Sequence, residues 1–311
     1  MPTVRCLSPR RLVRVVGPSS PFTRDRLSRG LDCLTSLGFR VEGAEQVLRE
    51  GHGYLNGDDE ERRRELQEAL DSDADVVWLA RGGYGLTRLL STLTLPASVP
   101  MVVGFSDATA LHAWAWQLGV HTVHGPLLTT LADEPPASIQ RLLDVLAGKA
   151  AGSAHGPLTE LVEGDRADVE GRLFAGNLCV LTHLIGTPAW PDLRGAIVVL
   201  EEVGERPYRV DRMLTQLLSS GSLAQVAAVV LGHLTRCDEP PGGTRPVPSA
   251  AEVFAERLRI LGVPVLAGLS SGHEAPNHPL IVGGRARLVR QGSTWSLQVL
   301  EEVSGMGLGN Q

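Results

Sequence analysis

Nearly uninterrupted apolar runs at residues 12–16, 75–80 and 99–105 alternate with helical patterns at residues 25–37, 60–70 and 109–118. A strand that is apolar on both faces must be covered on both faces, and helices returning between such strands leave them parallel. The first half of the chain is therefore expected to be a doubly wound α/β unit, with a further strand beginning at Phe39-Arg40-Val41. The texture changes after Leu131, where Glu134-Pro135-Pro136 breaks the chain, a helix is expected over residues 138–146, and residues 148–156 are rich in Ala and Gly. This places two domains at residues 1–150 and 151–311.

The second half reads as two β-like segments, a helix near residues 178–184, and a buried strand at 196–200 leading into Glu201-Glu202. Residues 209–218 carry an apolar stripe of Val210, Met213, Leu214, Leu217 and Leu218, closed by Gly221. Further strands are expected at 225–232 and 263–266, and a terminal hairpin at 286–299.

With 311 residues, 43% of them hydrophobic and 21% charged, the chain can bury two cores and hold a cleft. A net charge of −6 without any Lys/Arg block argues against nucleic acid and anionic membrane as partners. The basic residues are arginines apart from Lys149. Cys6, Cys33, Cys179 and Cys237 are far apart and lack C-x-x-C spacing, so neither a metal site nor a disulfide framework is expected. No secretory h-region and no apolar run near the ~20 residues of a membrane helix is present, which points to the cytoplasm.

Ser106 lies where the third apolar run meets a helix, with Gly104 two residues before it and Ala108 two after. Small neighbours are what a nucleophile elbow needs to lift a hydroxyl out of a sheet, although the second glycine of the usual pattern is here Ala108. Ser106 and Asp107 are equally residue types favoured as helix N-caps, and the segment alone fits a cap better than a nucleophile. Arg81-Gly82-Gly83-Tyr84-Gly85 follows the second run, so both turns should open at the carboxyl edge of the sheet, where ligands gather. The glycine turn has neither the G-x-G-x-x-G nor the G-K-[ST] pattern, and no cofactor is expected. It could bring an amide close to a substrate carbonyl, or be only a tight turn.

A serine nucleophile needs a base, and the base an orienting carboxylate. His273 sits in a Gly/Pro-containing loop where a general base is plausible. His278 could compete, while His112 and His183 fall in helices. Glu201, Glu202 and Glu205 are the candidate carboxylates; Glu201 comes directly at the end of a buried strand, though such clusters are more often solvated acidic turns.

Taken together, the chain resembles the LD-carboxypeptidase family of serine peptidases, which includes muramoyltetrapeptide carboxypeptidases and microcin-immunity peptidases. The likeness is carried by Gly17-Pro18-Ser19-Ser20-Pro21, Arg81-Gly82-Gly83-Tyr84-Gly85, Gly104-Phe105-Ser106-Asp107-Ala108-Thr109, His124-Gly125-Pro126, Gly176-Asn177-Leu178, Gly186-Thr187-Pro188, Leu200-Glu201-Glu202, Tyr208-Arg209-Val210-Asp211-Arg212 and Gly272-His273. It departs at Glu274, where glycine is expected, and at Ile281, where proline is usual.

The resemblance implies a flavodoxin-like N-terminal domain with the serine and a smaller mixed β/α C-terminal domain with the acid and base. It implies Ser106 as nucleophile, His273 as base, Glu201 as orienter, and an oxyanion hole of the Gly83 and Asp107 backbone N–H groups. It also implies a metal-free homodimer that removes terminal D-alanine from murein tetrapeptides. The alternatives are a microcin-immunity-like peptidase acting on peptidyl- or aminoacyl-nucleotides, an α/β-hydrolase esterase, and a peptide-binding protein without turnover.

Overall fold

The computed structural model describes residues 2–5, 7–165, 168–240 and 246–301; Cys6 lies outside them. In chain order the first half runs β1 (Thr3–Val4), β2 (Leu12–Val16), α1 (Arg24–Ser36), β3 (Arg40–Glu42), α2 (Asp59–Asp71), β4 (Val76–Leu79), β5 (Ser98–Val99), β6 (Met101–Gly104), α3 (Thr109–Gln117), β7 (Thr122–His124), α4 (Leu128–Leu131) and α5 (Pro136–Leu146). The second half runs β8 (Ala154–Val162), β9 (Asp168–Asn177), α6 (Leu178–His183), β10 (Ile197–Val203), α7 (Pro207–Ser219), β11 (Ala228–Thr235), α8 (Ala250–Leu258), β12 (Val265–Ala267), β13 (Leu280–Val282), β14 (Arg285–Gln291) and β15 (Thr294–Val299).

Local chemistry sets the helix starts. Asp58 and Glu61 close a capping box at α2, Ser249 and Glu252 close another at α8, and proline opens both α5 and α7. The expected apolar run at 99–105 is split at Pro100, which cannot donate to a ladder: Ser98–Val99 pairs with β1, and Met101–Gly104 joins the main sheet.

The main sheet has six strands in the order β13-β7-β6-β4-β2-β3, parallel except for β13. That strand comes from far along the chain and sets Leu280 opposite His124. The second half closes a barrel in the order β10-β11-β12-β8-β15-β14-β9, and the expected terminal hairpin forms two of its staves. Its closure joins segments as distant as β8 and β15, which the linear pattern did not indicate.

One core lies between β-sheet and barrel, where Phe105, Ala108, Leu111 and Trp116 pack with Phe174 and Leu200; the Trp116 and Phe174 rings meet edge to face at 5.7 Å. A second core fills the other sheet face, with Val13, Trp78 and Val103 against Leu27, Leu34 and Leu142. Among the described residues no helix is long and apolar enough to cross a membrane.

Candidate active site

The carboxyl end of β6 delivers Ser106. Phe105 is extended, Ser106 turns to a φ of 63°, and Ser106–Ala108 make a single 3-10 turn before α3. A serine side chain at positive φ is strained, and such strain persists only where the surroundings over-determine it. The small neighbours make room: a Cβ on Gly104 would stand 3.1 Å from that of Ala108, and one on Gly82 would stand 2.9 Å from the Ser106 Cβ. Neither helical turn after the strand carries a side-chain cap bond, so the capping role open to Ser106 or Asp107 is not taken up. The Asp107 carboxyl instead accepts from the Ser19 hydroxyl at 2.6 Å and from the Leu86 amide at 3.0 Å, tying three loops at the sheet edge. It is buried, and burial pushes its pKa up.

His273 joins the two halves. Its Nδ1 is 2.6 Å from Glu201 Oε2 and its Nε2 is 3.2 Å from Ser106 Oγ. An ionised carboxylate only accepts, so Nδ1 is the donor toward Glu201 and Nε2 is left as acceptor for the serine hydroxyl. The structure thus brings Ser106, Glu201 and His273 together.

Glu201 is not at a strand end: β10 continues through Glu202 to Val203, with a register shift against β11 between Leu200 and Glu202. Nor is the acidic cluster a solvated turn, because Glu201 is fully buried and Glu202 nearly so. Glycine makes the fit possible. A Cβ on Gly272, whose φ is 131°, would lie 3.0 Å from Glu201 Oε2, and one on Gly232 would lie 3.1 Å from the Glu201 Cβ.

The competing residues go elsewhere. Glu202 accepts from Asn177 Nδ2, the Cys179 amide and the Val203 amide at 2.8–3.0 Å, and burial pushes its carboxyl up. Glu205 pairs with Arg209 at 3.3 Å. His278 stands 5.8 Å from the His155 ring, and His183 is exposed at the end of α6. His112 is buried beneath the elbow, with Nε2 2.9 Å from the Gly104 carbonyl oxygen and Nδ1 2.8 Å from Thr122 Oγ1; burial lowers its pKa to about 4.

Gly83 and Asp107 fall on adjoining turns. Ser20 donates its amide to the Gly82 carbonyl at 3.1 Å and accepts the Tyr84 amide on its hydroxyl at 3.2 Å, with Gly83 between at a φ of 101°. A Cβ built on Gly82 would be 3.4 Å from the Asp107 amide nitrogen.

Sequence reasoning overlooked several neighbours. The Phe105 ring lies 4.7 Å from His273 and 5.8 Å from His124, a wedge between them. His233, Asn277 and Glu134 also border the His273 loop, and none sits at a spacing that marks a site. Among the described residues no group of three His, Cys, Asp or Glu could hold a metal. A hydroxyl, imidazole and buried carboxylate in series can deprotonate the hydroxyl and return its proton to a leaving group.

The chain is similar to known carboxypeptidases over most of its length. Residues 13–125 match the LD-carboxypeptidase N-terminal domain and residues 170–288 the LD-carboxypeptidase C-terminal domain. The chain is 34% identical over 300 residues to the murein tetrapeptide carboxypeptidase of Pseudomonas aeruginosa, covering 91% of this chain and 94% of that one. It is 25% identical over 300 residues to the microcin C7 self-immunity protein of Escherichia coli, covering 86% of each. The crystal structure of a muramoyltetrapeptide carboxypeptidase from Oxalobacter formigenes superposes with a TM-score of 0.81 at 30% identity, over 94% of this chain and 99% of that one.

Proposed function

Since the chain belongs to the LD-carboxypeptidase family of serine peptidases, we propose that it hydrolyses the bond between the L-centre of meso-diaminopimelate or L-lysine and a terminal D-alanine in murein tetrapeptides. The observation that carries this reading is the hydrogen-bonded series Glu201–His273–Ser106, with the serine on a strained turn. Ser106 Oγ attacks the carbonyl carbon while His273 Nε2 takes its proton, and Glu201 holds the imidazole and stabilises its charged form. The tetrahedral oxyanion is received by the backbone N–H groups of Gly83 and Asp107. His273 then returns the proton to the departing D-alanine amine, and water, deprotonated by the same histidine, releases the acyl group.

On this reading residues 1–150 supply the nucleophile, and residues 151–311 supply base and orienter. The protein is a cytoplasmic homodimer serving cell-wall recycling, and it uses no cofactor or metal. The murein substrate is preferred over a peptidyl-nucleotide because the murein carboxypeptidase relative is the more similar, at 34% against 25% identity.

The test is incubation with L-Ala-D-Glu-meso-diaminopimelate-D-Ala and detection of D-alanine by mass spectrometry, with Ser106→Ala as control. Release that depends on Ser106 is expected. No release, together with cleavage of an aminoacyl-adenylate analogue, would move the assignment to the microcin-immunity type of reaction. Inertness toward both would favour a binding protein.

A further inference from the structure

Ser106 stands on the six-stranded sheet and Glu201 on the barrel, and the base lies on the segment that crosses from barrel strand β12 to sheet strand β13. Something must fix that crossing segment relative to the serine, because a base within 3.2 Å of its nucleophile tolerates little drift.

Asn277 is buried and closes the segment on itself. Its Oδ1 accepts the Gly272 amide at 3.0 Å and lies 3.4 Å from the Ser271 hydroxyl, making a small ring around His273. Gly272, at a φ of 131°, is the residue before the base and the one with the most backbone freedom to lose. The ring is then fastened to the first half of the chain. The Asn277 amide donates to Glu134 Oε2 at 2.9 Å, and its carbonyl lies 3.4 Å from the Ser138 hydroxyl at the start of α5. Glu134 is itself largely buried, so this bond is shielded from water.

We propose that Asn277 and Glu134 form a latch that positions His273 against Ser106. The proposal rests on His273 being the base. The latch touches neither substrate nor reacting atoms; it holds the Gly272 peptide, and through it the imidazole. Without the Asn277 side chain the Gly272 amide loses its acceptor, and His273 can swing while Glu201 stays in the barrel wall.

The experiment combines steady-state turnover of the diaminopimelate tetrapeptide with proton NMR of the histidine-labelled protein, reading the Nδ1–H of His273. Asn277→Ala is expected to lower kcat on the order of 10²-fold with KM little changed, and to weaken the His273 Nδ1–H signal by faster exchange with water. Glu134→Gln keeps an acceptor for the Asn277 amide and should retain most of the turnover and the signal, whereas Glu134→Ala should lose both.

A folded Asn277→Ala protein with wild-type kcat and an unchanged resonance overturns the latch. So does Glu134→Gln falling as far as Glu134→Ala, a comparison that also decides the matter if Asn277→Ala does not fold. Should the wild-type protein release no D-alanine, the proposed reaction is wrong, and the resonance in the same variants still judges the latch.

Discussion

Ser106 and His273, 167 residues apart in sequence, meet through Oγ and Nε2 at 3.2 Å, and the serine reaches that contact from a φ of 63°. A cap residue gains nothing from such a conformation, whereas a nucleophile gains exposure of its hydroxyl at the sheet edge.

With the roles proposed above, Ser106→Ala and His273→Ala should each lower kcat by about 10⁴-fold or more, and Glu201→Gln by somewhat less. D-alanine release measured by mass spectrometry checks this. Wild-type turnover in Glu201→Ala would remove Glu201 from the mechanism, because Glu202 is committed to Asn177 and the Cys179 amide.

Gly82→Ala should damage the elbow directly. The new methyl would sit 2.9 Å from the Ser106 Cβ and 3.1 Å from its Oγ, so one of the two turns must move. A displacement near 1 Å costs on the order of 10²-fold in rate, expected in kcat with the thermal midpoint less affected. Gly83→Ala adds backbone strain of about 1–3 kcal/mol to a clash with the Ser20 hydroxyl, and should lower the urea midpoint as well.

Asp107→Ala should destabilise the sheet edge. It strands the buried Ser19 hydroxyl and the Leu86 amide, each worth about 1–3 kcal/mol when left without a partner. Urea unfolding should therefore show a loss of about 2–4 kcal/mol.

Acid should weaken the fold in a particular window. Burial lowers His112 to about 4, His155 to about 3 and His124 well below the ordinary 6.5. Below pH 6.5 the unfolded chain binds protons that these folded histidines refuse, so their contribution is full above 6.5 and lost as pH falls toward the folded values. Each titrating group adds a slope of about 1.4 kcal/mol per pH unit. Asp107, Glu202 and Glu65 are raised by burial and act oppositely, contributing most below their unfolded pKa and less as pH rises, which offsets part of the loss. The thermal midpoint should fall from pH 6.5 toward 4, and His112→Asn should make that fall shallower.

Where local pattern decides an element, the sequence was readable: the apolar strands β2 and β4, and the Ser106 turn between strand and helix, follow from periodicity and small residues. Helix α8 is marked in the sequence by its Ser249/Glu252 capping box. Two adjacent glutamates imitate a turn, yet β10 runs on through both of them to Val203. Each is a buried carboxylate with a partner set by tertiary packing, His273 for one and the start of α6 for the other. The barrel closure and the tie of Asn277 to Glu134 depend on pairings across more than a hundred residues, for which no linear spacing exists.

Strand β13 contributes only three residues, yet it completes the edge of a sheet whose other strands were made some 160 to 270 residues earlier in synthesis, and it follows the His273 loop directly. A growing chain on the ribosome therefore carries Ser106 through the synthesis of 167 further residues before His273 can stand beside it. Only when residues 273–282 emerge can the sheet gain its edge strand and Ser106 its histidine, so on the proposed roles a product terminated before His273 should release no D-alanine.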